Sequence, residues 1–349
     1  MVFNNKLINW YSNNKRFLPW RLKPEPYKIW LSEIILQQTK VKQGLPFYRK
    51  FINRYPSLKL LAGAHEDQIL KLWQGLGYYS RARNLLTTAK FIYEELHGNF
   101  PDNYHDLLKL KGVGPYTAAA IASICFNEPV AVVDGNVYRV LSRYFNIHTP
   151  INSSKGIKEF KIIAHKMLDT KNPGEYNQAI MDFGALICKP INAKCNICPL
   201  KKSCSSLRKK TTDKLPVKIK SRSLKKRYFN YLVTVTDTDK VILKKRINKD
   251  IWLNLYEFPL IEKKESINME TLKKSDLFIN LFKLNDKPTV RCFNKVDIVS
   301  KLSHQYIYSK FWIINVKSHP LATIKLSEIS NFAVPIHISN FIEAFKKLN

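Results

Sequence analysis

The sequence predicts an all-α part reaching to about residue 205, joined to a smaller α+β part that begins near residue 228. Three observations predict it. Up to about residue 205, apolar residues recur at three- and four-residue steps, punctuated by Gly and Pro. From Tyr228 the period shortens to that of strands, as in YFNYLVTVT. Between the two lies SLRKKTTDKLPVKIKSRSLKKR, residues 206–227, lysine-rich and free of aromatics, which reads as a basic linker. A chain of 349 residues accommodates about two domains. With 45% hydrophobic residues it has the material for cores and is not disordered throughout.

Lys and Arg number 58 against 27 Asp and Glu, a formal charge of +31. That excess goes beyond what solubility needs and points to a polyanionic partner, although a lysine-rich proteome supplies part of such a bias. The basic residues are spread along the chain, and no stretch has the ~18 apolar residues of a membrane span. Nucleic acid is therefore preferred to membrane. The N-terminus, MVFNNKLINWYSNNKRF, has no signal-peptide core. The cytoplasm of a bacterium, with the DNA, is the expected location, and there the six cysteines are not presumptive disulfides.

In chain order, Leu18-Pro19-Trp20-Arg21 connects a first helix to a second one, Tyr27–Lys40. Glu33 shares a face of that helix with Trp30, Leu36 and Gln37. An acid on an apolar face either snorkels at an edge or does chemistry. Gln37-Gln38-Thr39 then offers uncharged hydrogen-bonding groups suited to base edges or to capping. Gly75-Leu76-Gly77 is a glycine turn whose flank carries Tyr78, able to stack on a base, and Arg81, able to meet a phosphate. Ser80 has the chemistry of an N-cap.

LKGVGPYTAAAI, 110–121, holds the tight turn Gly112-Val113-Gly114 with Pro115 opening a helix. Glycines allow close backbone approach, and the outward N–H groups of a helix start hold a phosphate without a side chain. Val132-Val133-Asp134-Gly135-Asn136 follows, a strand-like run ending in a carboxylate ahead of a helix Val137–Phe145. By itself Asp134 is a helix N-cap. Further helical segments cover about 156–168 and 176–187.

Cys188, Cys195, Cys198 and Cys204 are spaced C-x6-C-x2-C-x5-C. Four thiolates so close in a reducing compartment mean a metal site, and both zinc and a 4Fe–4S cluster accept four cysteines. Structural zinc favours two CxxC pairs and only one is present. Cys125 and Cys292 stand alone and read as buried apolar residues.

Together these pieces resemble the adenine DNA glycosylase (MutY) family of the endonuclease III, or helix-hairpin-helix, superfamily. The carrying motifs are LPW at 18–20, SEIILQQTKV at 32–41, GLGYYSRARNL at 75–85, LKGVGPYTAAAI at 110–121, VVDGNVYRV at 132–140 and the four cysteines. They cover most of residues 15–205 in family order. The resemblance implies a helical glycosylase domain over 1–205, with a six-helix module about 21–125 and a cluster module formed by about 1–20 and 126–205. It also implies one 4Fe–4S cluster on Cys188, Cys195, Cys198 and Cys204, and a monomer acting on double-stranded DNA that contains an adenine mispair. The implied reaction is hydrolytic removal of adenine opposite 8-oxoguanine or guanine.

Adenine leaves as a neutral base while the sugar becomes oxocarbenium-like, so two carboxylates in opposite protonation states suit the step. Glu33 is expected to hold a proton for adenine N7 because of its apolar setting. Asp134 is expected to stay ionised, held by helix N–H groups, and to stabilise the cationic sugar. Tyr116 and Asn136 resemble supporting catalytic residues. Gln38 and Tyr78 match positions that fill the gap left by base extrusion; Thr39, Arg81, Gly112 and Gly114 complete the DNA-binding set. Arg16, Trp20 and Gln178 are candidates for the adenine pocket. Lyases of the superfamily carry a lysine where this chain has Tyr116, which implies a monofunctional enzyme.

The C-terminal part, 228–349, resembles the family's Nudix-like mispair-recognition domain. VILKKR at 241–246 and KFWIINVK at 310–317 are predicted strands, and SNFIEAFKKLN a closing helix. No REx2EE-type acidic helix appears, which argues against magnesium-dependent pyrophosphate hydrolysis. Leu302-Ser303-His304 stands where the family probes 8-oxoguanine, with Leu replacing a frequent aromatic. The rivals are an endonuclease III-like lyase on oxidised pyrimidines and a non-catalytic mismatch-binding protein.

Overall fold

The computed structural model describes residues 2–219, 224–282 and 288–348. The chain divides into two compact units, Met1–Ala64 with Asn84–Ser221, and His65–Arg83 with Arg222–Asn349. The helices up to the cysteine loop are α1 (Val2–Asn14), α2 (Pro26–Leu36), α3 (Val41–Arg54), α4 (Leu58–Ala62), α5 (Glu66–Leu72), α6 (Ser80–Glu94), α7 (Tyr104–Leu107), α8 (Pro115–Phe126), α9 (Gly135–Phe145), α10 (Ser154–Met167) and α11 (Pro173–Leu186), with the short α12 (Ser205–Arg208) after it.

In the first unit, α2 and α8 are buried on most sides, the former from Tyr27 through Ile35 and the latter from Thr117 through Ser123. The alanines of α8 and two glycines of α11 permit this close layering. A Cβ on Gly174 would stand 2.6 Å from Ser123 O, and one on Gly184 would stand 2.7 Å from Asn136 Cβ. A second core gathers Phe3, Leu7, Val140, Leu141, Phe160, Tyr176 and Phe183, so that α1 is packed with α9, α10 and α11.

Several predicted boundaries shift. The helix expected to reach Lys40 stops at Leu36, because Gln38 takes a left-handed conformation with φ 55°. The run Val132–Val133 belongs to no strand among the described residues. The stretch expected as a linker is mostly held on the helical unit: Leu215 is buried, Ile151 N donates to Val217 O, and Arg143 Nε donates to Leu215 O. Lys225–Arg227 already belong to a strand, and 220–223 lie outside the described residues. Residues 65–83, expected with the helical part, cluster with the C-terminal one.

The second unit is built on β1 (Lys225–Thr236), followed by β2 (Lys240–Val241), β3 (Lys244–Lys245), β4 (Tyr256–Glu257) and β5 (Leu260–Lys263). After α13 (Met269–Lys273) and α14 (Asp276–Phe282) come β6 (Thr289–Cys292), β7 (Ile298–Lys301), β8 (Gln305–Val316), β9 (Ile324–Lys325) and α15 (Ile336–Leu348). The main sheet runs β5-β1-β8-β6, with β7 also on β8. β1 and β8 are parallel in the register Lys225↔Gln305 to Thr236↔Val316. Alternate residues of these strands serve opposite faces. Phe229, Tyr231, Phe311 and Ile313 pack on α15 through Phe341 and Phe345, while Leu232, Trp312 and Ile314 meet Leu272, Phe278 and Phe282. The predicted strand at 241–246 is split between β2 and β3.

Candidate active site

Glu33 sits in the last turn of α2 and is only 7% exposed. Asp134 is the N-cap of α9; its Oδ1 accepts from Asn136 N at 2.8 Å and Val137 N at 2.7 Å. Far apart in sequence, the two carboxyls line one cavity of about 500 Å3, together with Tyr116, Asn136, Trp20, Arg16, Gln38 and Thr39. Asn136 Nδ2 donates to Asp134 Oδ2 at 2.7 Å, and Asn136 Oδ1 accepts from Arg139 at 2.8 Å. Arg139 continues to Gly184 O at 2.7 Å and Cys188 O at 2.6 Å, so the Asp134 cap is braced against α11 and the cysteine loop. The Tyr116 hydroxyl donates to Met181 Sδ at 3.2 Å and lies beside Glu33, whose charged form it favours.

Burial pushes the Glu33 carboxyl up to about 7; the Tyr116 hydroxyl and Arg21 pull it back, and the charge of Asp134 adds to the rise. Asp134 is also raised by burial. Removal from water outweighs the hydrogen bonds from Val137 and Asn136 and the charge of Arg139. Those bonds favour the carboxylate form of Asp134 and oppose the rise. Sequence reasoning missed a further element. Asp182, fully buried on α11, receives Arg16 at 2.6 Å and Arg21 at 2.8 Å. Burial alone would raise Asp182, but the hydrogen bonds and charges of both arginines bring it below the usual range. The sequence signal was an acid set among the apolar residues of the second half of α11.

The adenine-pocket candidates divide. Trp20 is buried, stands edge-on to Tyr48 at 4.8 Å, and lines the cavity with Arg16. Gln178 does not line it. Its Oε1 accepts from the Tyr11 hydroxyl at 3.4 Å and it borders a separate cavity with Lys15, Ser123 and Glu175. The helix turns that side chain to the opposite flank of Arg16.

Among the DNA-binding candidates, Gly112 has φ 82°, and a Cβ there would press on Asn84 at 2.9 Å. Gly114, the N-cap of α8, is in extended backbone beside open space and leaves the first-turn N–H groups without a side-chain cap. Gln37, next to Gln38, ties the end of α2 to this hairpin by donating to Gly112 O at 3.2 Å. Tyr78 is 45% exposed with φ 49°, and its hydroxyl is hydrogen-bonded to Ser303 Oγ. Ser303 and His304 occupy the turn joining antiparallel β7 and β8. Arg81 departs from expectation: it is buried, its guanidinium lies over the Trp73 and Tyr78 rings, and it donates to Gly77 O at 3.0 Å. Burial lowers it to about 10, and it supports the turn from within instead of meeting a phosphate.

Cys188, Cys195, Cys198 and Cys204 line one apolar cavity against Val140, Tyr144, Phe183 and Leu200. Arg143 Nη1 approaches Cys188 Sγ at 3.5 Å. Among the described residues, no three His, Cys, Asp or Glu side chains are grouped as for a single metal ion. Cys125 and Cys292 lie elsewhere, partly buried. No helix among the described residues is long and apolar enough to cross a membrane.

Comparison with known proteins places these features in context. Residues 31–164 match the HhH-GPD superfamily base excision DNA repair protein family. The chain is 35% identical over 365 residues to an adenine DNA glycosylase of Buchnera aphidicola subsp. Baizongia pistaciae (strain Bp), covering 100% of this chain and 98% of that protein. It is 33% identical over 355 residues to the adenine DNA glycosylase of Buchnera aphidicola subsp. Acyrthosiphon pisum (strain APS), covering 99% and 98%. Among solved structures, a thermostable thymine-DNA glycosylase is similar at 31% identity and a TM-score of 0.55, over 60% of this chain and 96% of that one.

Proposed function

The chain belongs to the adenine DNA glycosylases of the HhH-GPD superfamily, and from that premise we propose which of its residues excise the base and how. It is a base-excision repair enzyme that acts on DNA and hydrolyses the N-glycosidic bond of adenine. Its preferred substrate is adenine mispaired with 8-oxoguanine or guanine in double-stranded DNA. The observation that supports the mechanism is the shared cavity of Glu33, whose carboxyl is pushed up to about 7, and Asp134, whose carboxyl caps a helix; in this reading the first holds the proton and the second is the anion.

An adenine swung out of the duplex enters this cavity. Glu33 donates its proton to adenine N7, so the base departs neutral. Asp134 faces the sugar as an anion while positive charge develops on it, and then water completes the hydrolysis. Asn136 and Arg139 fix Asp134, and Tyr116 fixes Glu33. With a phenol and no amine at position 116, the enzyme has no Schiff-base nucleophile there and acts as a monofunctional glycosylase. Trp20 and Arg16 form the wall against the base. The Gly112–Gly114 turn holds the backbone phosphate, Gln38 and Thr39 enter the gap, Tyr78 wedges the stack, and Ser303 with His304 reads the opposite base.

The four cysteines fit a 4Fe–4S cluster better than zinc. They line one apolar cavity, and their spacing holds a single CxxC pair where structural zinc favours two. When bound, such a cluster ties the loop 188–204 into one rigid piece. This chain's own residues link that piece to the site, since Arg139 holds both Cys188 O and Asn136.

The test is single-turnover adenine release from a duplex with adenine opposite 8-oxoguanine. Glu33→Gln should slow release by ~10²–10⁴-fold, the usual contribution of a general acid, while mispair binding persists. Full activity in that variant would remove Glu33 from the mechanism.

A further inference from the structure

The segment His65–Arg83 is continuous in sequence with the helical part, yet clusters with the α+β unit. Its side chains show why. Lys71 Nζ donates to Phe332 O at 3.0 Å, and Gln74 Nε2 donates to Ser339 Oγ at 3.1 Å. Lys71 also bonds Gln74 Oε1 at 3.0 Å, so the two grips are coupled. Asp67 pairs with Lys245 at 2.6 Å, Glu66 accepts from Asn254, and Arg83 Nη1 donates to Leu253 O at 2.9 Å. The Asp67–Lys245 pair is exposed and contributes little. The bonds from Lys71 and Gln74 are partly buried, and their loss leaves a buried carbonyl or amide unsatisfied.

These two grips lie immediately before the turn that presents Tyr78. The intervening turn is braced by hydrogen bonds. Gly75, Gly77 and Tyr78 all have positive φ, and Gly77 O accepts from both Trp73 Nε1 and Arg81 Nη2, each at 3.0 Å. A displacement at Lys71 or Gln74 is passed toward Tyr78 through these bonds. At the far end, the Tyr78 hydroxyl meets Ser303 of the β7–β8 turn.

We propose that Lys71 and Gln74 are positioning residues through which the α+β unit holds the Tyr78 wedge in register with the Ser303–His304 turn, making wedging of the duplex and reading of the opposite base one device. The inference rests on Tyr78 and Ser303 having the roles assigned above. Lys71 and Gln74 themselves touch neither DNA nor the reacting atoms in this scheme. Their effect belongs in mispair recognition and not in the chemical step.

The experiment uses the full chain and measures two quantities on adenine·8-oxoguanine and adenine·guanine duplexes: affinity, and the rate of adenine release at saturating enzyme. Lys71→Met is expected to weaken binding of the 8-oxoguanine mispair about tenfold, the scale of one hydrogen-bonded charged group, and to narrow the preference over guanine. The saturating rate should stay unchanged. In a Tyr78→Ala background, Lys71→Met should add no further loss, because the residue it positions is gone. Additive losses, an unchanged affinity, or a fall confined to the saturating rate would each overturn the proposal. Ser339→Ala removes the acceptor of Gln74 from the opposite side and must repeat the pattern if Lys71→Met does not fold. Ser303→Ala separates the underlying reading. If it leaves discrimination intact while the Lys71–Tyr78 coupling persists, lesion reading at the turn has failed and the handle stands.

Discussion

Glu33 shows what a single buried acid costs and what it enables. With its pKa raised from 4.5 to about 7, the folded protein binds more protons than the unfolded chain between those values. Stability therefore falls as pH rises through that window, and the loss is complete above it. Glu33→Gln has no such term. It should be more stable than the parent at pH 8, by an amount on the order of a few kcal/mol, with the gap closing as pH falls toward 4.5. Urea unfolding of both proteins across this range checks the sign; a gap independent of pH would mean that Glu33 is ionised in the fold. The same titration makes adenine release decline as pH rises above about 7. Glu33 was legible in the sequence because an acid interrupts an apolar helix face. The Asp182 clamp was not, since Arg21 and Asp182 are 161 positions apart and neither signals the other locally. Gln178 was misplaced for a related reason: a helical period gives faces but does not say which of two flanking cavities a face borders.

Between elements, small residues set the spacing on which the site depends. Gly174 and Gly184 both lie on α11, and a methyl at either meets a neighbour at 2.6–2.7 Å. The neighbours differ. At 174 the obstacle is the Ser123 carbonyl of α8, which does not line the cavity of the carboxylates. At 184 it is Asn136, which holds Asp134. Gly174→Ala and Gly184→Ala should each destabilise by about 1–3 kcal/mol through overpacking. Only Gly184→Ala should also slow single-turnover adenine release, because it displaces the group that orients the carboxylate. Equal rates in the two variants would mean that the α9–α11 spacing does not govern Asp134. The helices themselves were readable, since periodicity, Pro115 and the Asp134 cap mark them locally. The end of α2 was not, because Gln38 adopts a left-handed conformation that a glycine would have announced. The split of 241–246 into β2 and β3 depends on partners, β9 and β4, that the local pattern cannot see.

At the scale of the molecule, two features of the sequence carried different amounts of information. The division into a helical and an α+β part was visible as a change of period, but the allegiance of 65–83 was not. It depends on side-chain bonds from Lys71, Gln74 and Arg83 to residues far along the chain. Net charge, by contrast, needs no structure. An excess of +31 draws a polyanion over long range and is screened by salt. If the Gly112–Gly114 hairpin, the basic stretch after the cysteines and the surface lysines engage ~6–10 phosphates, affinity for a mispaired duplex should fall ~10³–10⁵-fold between about 50 and 200 mM salt. Glu33→Gln should give the same slope of log affinity against log salt, because Glu33 acts on the extruded base and releases no counterion. A shallow slope would mean that most of the positive charge faces away from DNA. A slope altered by Glu33→Gln would mean that the catalytic carboxyl also governs docking, against the separation of backbone grip from base chemistry that the two carboxylates require.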